Sequence, residues 1–273
     1  MIIDNYQELE DYVKLFRDGK CQLLCVISDG GLGKTQLISS ILETTSHVRI
    51  TSHTSALALY IVGYENRNTP FWFDDVNEIL SDKSKINLLK AFAETIQDKK
   101  ICWYTTSEKL NEETPQEYFT KSRVIITAND IDRISKKARS LFTRGIFIVF
   151  KPTYQEIMNK MKEIIPLIHE DVKIDKKIEV LAEINKWSYL VKELNLRHLV
   201  IGIELQQQFI DWKDRIMKVM ELDEKLLLLD KLMQQYGNDT ARLQYWKYAR
   251  STFYECKRML KERKPIIEQS AVI

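Results

Sequence analysis

Glycine and proline are scarce: the 273 residues include 8 glycines and 5 prolines. That level excludes collagen-like, low-complexity and turn-rich all-β architectures. Cysteine is sparse too. Cys21, Cys25, Cys102 and Cys256 form no CxxC pair, and the scattered His47, His53, His169 and His198 complete no metal-ligand set with them. Free thiols of this kind belong to a reducing compartment, so a cytoplasmic location is expected. Long apolar runs are missing. Leu23–Ile27 and Ile146–Phe150 fall far short of the ~20 residues of a membrane helix. The acidic start, Met1–Tyr12, has no basic n-region, so no signal peptide is expected. Neither sign of charge dominates: 41 Lys and Arg face 39 Asp and Glu, a net +2.

What is present supports a folded enzyme-sized chain. Hydrophobic residues make up 44%, enough for a packed core, and the length suits one large domain with one or two small ones. Charged residues reach 29% and alternate in sign, as on solvated helices. The positive charge is unevenly placed. Thr240–Lys264 holds eight basic and two acidic residues, a local +6 that leaves −4 for the rest.

Periodicity divides the chain near Pro152. Before it, Met1–Asp18 reads as an amphipathic helix. Gln22–Ile27, Val48–Thr51, Pro70–Asp75, Ile101–Thr105, Arg123–Thr127 and Ile146–Phe150 read as strands. Helices are expected over Gln36–Glu43, Ser55–Val62 and Lys85–Gln97. Strands alternating with helices predict a parallel sheet covered on both faces. After Pro152 no strand candidate remains. Thr153 and Glu156 form a capping box that opens a helix to about Ile164. Further helices are expected over Asp175–Leu194 and Leu196–Trp212, and a last helical unit from Ile216 to Lys264 breaks at Gly237-Asn238.

The strongest chemical signal is Ser28-Asp29-Gly30-Gly31-Leu32-Gly33-Lys34-Thr35, between a strand and a helix that begins at Gln36. It fits the phosphate-loop pattern G-x-x-x-x-G-K-[ST], with Ser28 in place of the first glycine. Backbone N–H groups of such a loop converge at a helix N-terminus, an anion site. Lys34 would then reach the outer phosphates and the Thr35 hydroxyl would ligate Mg²⁺. The second signal is Phe71-Trp72-Phe73-Asp74-Asp75, an apolar strand ending in two carboxylates. Asp74 suits the metal side and Asp75 the base that orients water. The third is Asn129, closing the apolar run Val124–Ala128.

In this order the three landmarks resemble the AAA+ ATPase family: Walker A at Ser28–Thr35, Walker B at Phe71–Asp75 and sensor 1 at Asn129. The resemblance runs from about Gln22 to Phe209. It implies a parallel-sheet α/β ATPase core over 1–151, a helical lid over 152–212, and ATP and Mg²⁺ as ligands. It assigns Arg144 as the arginine finger, with Arg139 as its back-up, and Arg197 as the sensor 2 arginine. A finger supplied from a neighbouring subunit implies a homo-oligomeric ring or spiral. Asp75 departs from the glutamate usual at its position, a change that bears on the hydrolysis rate rather than on binding. The wording His53–Tyr60 and Phe73–Val76 is similar to ATP-binding proteins of phages and plasmids, which would place the protein in a host cytoplasm. Some members of the family carry a pore hairpin before sensor 1. Here Ile101–Thr127 would form it, with Lys109 as its exposed charge; an ordinary surface loop fits that segment equally well.

The segment 213–273 reads as a small helical domain in helix-turn-helix order, with its charge on the last two helices. Arg250, Ser251, Thr252 and Lys257 would face DNA, while Phe253 and Leu260 face the core. Two functions follow. One is an ATPase acting on DNA in phage or plasmid replication or mobilisation. The other is a slow ATP switch, an adaptor or helicase loader whose tail docks a partner protein.

Overall fold

The computed structural model describes residues 1–273 except 53, 76, 97, 105–113, 130–137 and 264–273. The chain divides into two compact units, Met1–Lys151 and Pro152–Ile273.

The first unit is α/β, as its alternating periodicity predicts. In chain order it runs β1 (Ile2–Ile3), α1 (Tyr6–Arg17), β2 (Leu23–Ile27), α2 (Lys34–Leu42), β3 (Val48–Ile50) and α3 (Ala56–Glu65). Next come β4 (Phe71–Phe73), α4 (Lys83–Phe92), β5 (Lys99–Cys102), β6 (Glu117–Thr120), β7 (Val124–Ala128), α5 (Arg139–Phe142) and β8 (Ile146–Phe150). Six strands form one sheet in the order β1-β8-β2-β7-β4-β3, every neighbouring pair parallel. Strands buried on both faces should be continuously apolar. β2, Leu-Leu-Cys-Val-Ile, is buried at all five positions and lies between β7 and β8. Each fully buried side chain of this size contributes about 1.5–3 kcal/mol, so the strand before the glycine-rich loop is among the most firmly seated in the unit. Gly145 permits the close approach of β8 to β2: a Cβ there would lie 2.3 Å from the Leu23 carbonyl oxygen.

Three sequence expectations change. The first residues are not all helical. Ile2 and Ile3 form a short strand along β8, and Asn5 caps α1 by accepting the Glu8 N–H. β5 does not pair with the strand before Asn129. It pairs antiparallel with β6, in a separate two-stranded ribbon. Finally, α4 stops at Phe92 rather than continuing to Gln97. The tip of the expected pore hairpin, with Lys109, lies outside the described residues.

The second unit is helical: α6 (Tyr154–Ile164), α7 (Ile174–Trp187), α8 (Arg197–Gln208), α9 (Trp212–Val219), α10 (Glu224–Gln235), α11 (Asp239–Gln244) and α12 (Arg250–Arg263). Thr153 caps α6 by accepting the Glu156 N–H, as the capping box predicts. α7 ends at Trp187, and the expected helix to Trp212 is two, α8 and α9. α10, α11 and α12 enclose Leu226, Leu229, Trp246, Phe253 and Leu260, together with Leu190. Among the described residues no helix is long and apolar enough to cross a membrane.

Candidate functional site

The loops that leave the C-terminal ends of β2, β7 and β4 adjoin one another, because these strands are neighbours in the sheet. In open parallel sheets this edge is where ligands bind. After β2 the chain turns through Gly31 and Gly33, both near φ +78°. Glycine enters that left-handed region at little cost. Gly33 then stands at the start of α2 with no side chain capping the helix and no acidic residue in the first turn. The helix dipole at this start favours an anionic acceptor. Leu32 is buried, its carbonyl accepting the Tyr6 hydroxyl at 3.1 Å, which ties the loop to α1. Asp29, Gly30 and Gln36 lie on the exposed side of the loop and helix start.

Lys34 is buried in the turn. Its ammonium donates to the Ser28 carbonyl at 2.6 Å, the Ser28 hydroxyl at 2.7 Å, the Asp29 carbonyl at 3.1 Å and Asn129 Oδ1 at 3.0 Å. Ser28, the departure from the glycine pattern, thus supplies an extra hydroxyl to the lysine. Asn129 is a bridge: its Nδ2 donates to Asp75 Oδ1 at 2.5 Å. One amide therefore links the lysine to the candidate base, across strands adjacent in the sheet.

Asp74 is buried and fully engaged. The Thr35 hydroxyl donates to its Oδ1 at 3.0 Å and the Thr127 hydroxyl at 2.9 Å, while the Arg49 guanidinium pairs with Oδ2 at 2.6 Å. Thr127 Oγ1 also accepts the Asp75 backbone N–H at 2.9 Å. Asp75 sits at φ +58°, an uncommon conformation for a residue with a side chain, and its carboxylate is exposed. Asp74 and Asp75 thus diverge, one into the interior toward Thr35 and one toward solvent beside Asn129.

Arg49 and Thr127 were missed by motif reading. Both lie on recognised strand runs. Arg49 is the one charged residue of β3, which lies parallel to β4 with Arg49 in register with Trp72, and its guanidinium stands 4.3 Å above the Trp72 ring. A lone arginine in a strand beside an acid-ended one is the signal that could have found it.

The oxygens of Thr35 and Asp74 are hard donors of the kind that hold Mg²⁺, which usually takes one or two protein oxygens and completes its shell with phosphate and water. The donor set fits that ion. Among the described residues no group of three or more His, Cys, Asp or Glu side chains forms a denser metal cluster.

The other expected residues are carried by other elements. Arg144 follows α5 and donates to the Lys90 carbonyl at 3.0 Å and pairs with Glu94. Arg139 opens α5, exposed. Arg197 opens α8 in the second unit, exposed. At the tail, Arg250 and Ser251 are exposed at the start of α12, Thr252 is half-buried, and Phe253 and Leu260 are buried. Lys257, half-buried, pairs with Asp239 at the start of α11.

No protein-family model matches the chain. An uncharacterized 36.7 kDa protein in the nrdC–mobD intergenic region of Enterobacteria phage T4 is 28% identical over 166 residues, 54% of this chain and 51% of that protein. The chain thus spans about half the length of this relative. Among solved structures, NtrX from Brucella abortus in complex with ATP matches with a TM-score of 0.50 at 12% identity, covering 93% of this chain and 67% of that one. A Thermotoga maritima RuvB mutant gives 0.49 at 14% identity, covering 97% and 85%. At 12% identity the likeness to NtrX is one of fold.

Proposed function

We propose that this protein is an AAA+-type ATPase that acts on DNA, in the replication or mobilisation of a phage or plasmid genome. The observation that carries the reading is the chain of contacts Lys34–Asn129–Asp75 beside Thr35–Asp74 at an uncapped helix start. It supplies, within one cleft edge, a cation and N–H groups for phosphate, an oxygen pair for a divalent ion and an exposed carboxylate for water.

In this reading the N–H groups of Gly31–Thr35 and the Lys34 ammonium bind the β- and γ-phosphates of ATP. Thr35 and Asp74 hold Mg²⁺, which when bound would neutralise phosphate charge. Asp75, oriented by the Asn129 amide, accepts a proton from the water that attacks the γ-phosphorus as the bond to the β–γ bridging oxygen breaks. Arg144 of a neighbouring subunit offsets the charge that develops on the transferred group, and Arg197 is the lid arginine. The subunits assemble as a homo-oligomer in the host cytoplasm. Arg250, Ser251, Thr252 and Lys257 of the tail, and Lys109, are the proposed DNA contacts. A slow ATP switch that loads a partner protein is the second reading, supported by Asp75, whose side chain is one methylene shorter than glutamate.

Lys34→Ala tests the site. The methyl group cannot replace a positioned ammonium, and charge-assisted contacts to phosphate are strong. ATP affinity by titration calorimetry is expected to fall about 100-fold or more, close to 3 kcal/mol. Unchanged affinity would overturn the phosphate-loop assignment.

A further inference from the structure

The tail's positive charge is less uniform than its sequence suggests. Asp239 draws in two of the cations, pairing with Arg242 at 2.8 Å and with Lys257. Arg242 also donates to the Tyr236 carbonyl at 2.8 Å. Arg263 turns inward, donating to the Val191 carbonyl at 2.9 Å with its guanidinium 4.1 Å from the Tyr154 ring. Arg258 lies 3.9 Å from Glu262. Lys247 and Arg250, by contrast, are exposed and make no ion pair among the described residues, and the same holds for Lys225 at the start of α10.

Two of these cations flank aromatic rings. Lys225 Nζ lies 5.5 Å from the Tyr248 ring, and Arg250 lies 6.0 Å from the Tyr254 ring. Tyr248 meets Trp246 edge-on at 5.3 Å. Between α11 and α12 is an open cleft of about 350 Å³ lined by Thr240, Leu243, Trp246, Tyr248 and Arg250. Its volume is at the small end for ligand sites. Trp246 is fixed as its floor: it is buried, and its indole N–H donates to the Ala249 carbonyl at 3.1 Å. Tyr248 stands at the rim, 39% exposed.

An aromatic floor and rim with unneutralised cations at the edge is the chemistry that stacks an unpaired base and holds its flanking phosphates. A duplex keeps its base faces hidden and offers only groove edges and phosphates, so an aromatic stacking surface would go unused, and Lys257, on the helix offered to it, already pairs with Asp239. We infer that this cleft binds one unpaired nucleotide of single-stranded DNA, the base stacked on Tyr248 with Trp246 beneath it, the phosphates on Lys225, Lys247 and Arg250. The inference rests on the reading that the tail contacts DNA, and names the form of DNA it takes.

The test uses the full chain, a labelled oligo-dT and the matching dT·dA duplex, with anisotropy titrations at two salt concentrations. The single strand is expected to bind more tightly than the duplex and to quench tryptophan emission, with the quenching lost in Trp246→Phe. Tyr248→Ala should weaken the single strand about 10-fold and leave the duplex unaffected, because base–aromatic stacking is the contact removed. Tyr248→Phe keeps the ring and should keep the affinity, which separates stacking from folding. Lys247→Ala with Arg250→Ala should weaken binding and flatten its salt dependence. If the duplex binds and Tyr248→Ala leaves single-strand affinity unchanged, the inference falls and the tail reading stands. If neither DNA binds, both fall.

Discussion

Thr127 has one hydroxyl and two duties. It donates to Asp74 Oδ1 and accepts the Asp75 N–H, so it holds the metal-side acid and fixes the backbone of the candidate base. Asp75 needs such support, since its positive φ costs of order 1–3 kcal/mol. Thr127→Val keeps the shape and removes the hydroxyl. The Asp75 N–H then loses its acceptor and buried Asp74 loses one of its donors, a cost of about 1–3 kcal/mol in stability. The expected outcome is a sharp fall in ATP turnover with nearly unchanged ATP affinity, because the Lys34 turn is untouched. Parallel calorimetry and phosphate-release assays check it. Affinity falling as far as turnover would show that Thr127 only holds the loop together. The contrast between Thr127 and Lys34 marks what a sequence discloses at this scale. Lys34, Thr35, Asp74, Asp75 and Asn129 are legible because their chemistry demands fixed residue types at strand ends. Thr127 and Arg49 lie inside strands, where polar residues acquire roles only from the neighbouring strand, and strand order is not written in local spacing.

Among elements, the apolar strands were legible, the three-residue β3 and β4 included, while β1 and β6 were not. β2, β7 and β8 are five-residue runs whose burial on both faces forces a continuous hydrophobic pattern. β1 has two residues and takes its identity wholly from β8, and β6 hides its alternation, Glu-Tyr-Phe-Thr, behind a polar stretch. The β5–β6 ribbon also carries an electrostatic cost that no pattern reveals. Lys99 is fully buried, its ammonium donating to Gln22 Oε1 at 2.7 Å and to the Ser122 carbonyl. Burial pulls it from the ordinary 10.5 down to about 8, with Arg123 adding to the shift. Below about pH 8 both folded and unfolded chains hold the proton, and the burial cost is felt in full. Between about 8 and 10.5 the unfolded chain binds more protons, so this group makes stability rise with pH. The difference in unfolding free energy between the wild type and Lys99→Met should therefore move in favour of the wild type, by up to about 2 kcal/mol from pH ~7.5 to ~9.5. The difference cancels the opposing tyrosines, such as Tyr60, which burial pushes up to about 12. A flat difference in denaturant titrations at the two pH values would mean that Lys99 stays charged and hydrated.

At the scale of the whole molecule, the proposed ATPase reading requires a residue from a second chain. Arg144 is held within its own unit by Glu94 and the Lys90 carbonyl, a half-exposed arrangement. Ion pairs of that exposure are worth about 0–1 kcal/mol, little enough for a phosphate on a neighbouring subunit to outcompete. Arg144→Ala should then leave ATP affinity unchanged and abolish turnover, while Lys34→Ala abolishes both. Mixing the two inactive proteins is the decisive measurement. In a randomly mixed closed oligomer, about a quarter of the interfaces join an intact phosphate loop to an intact arginine from the next subunit. Turnover is expected to reappear in the mixture and to peak near equal proportions, since either excess depletes such interfaces. The recovery should also require assembly, so it should vanish on dilution below the concentration at which the oligomer, read by light scattering, dissociates. If no mixture recovers and the oligomer nonetheless forms, Arg144 works within its own chain or serves only to anchor Glu94, and Arg139 takes its place as the residue to substitute next.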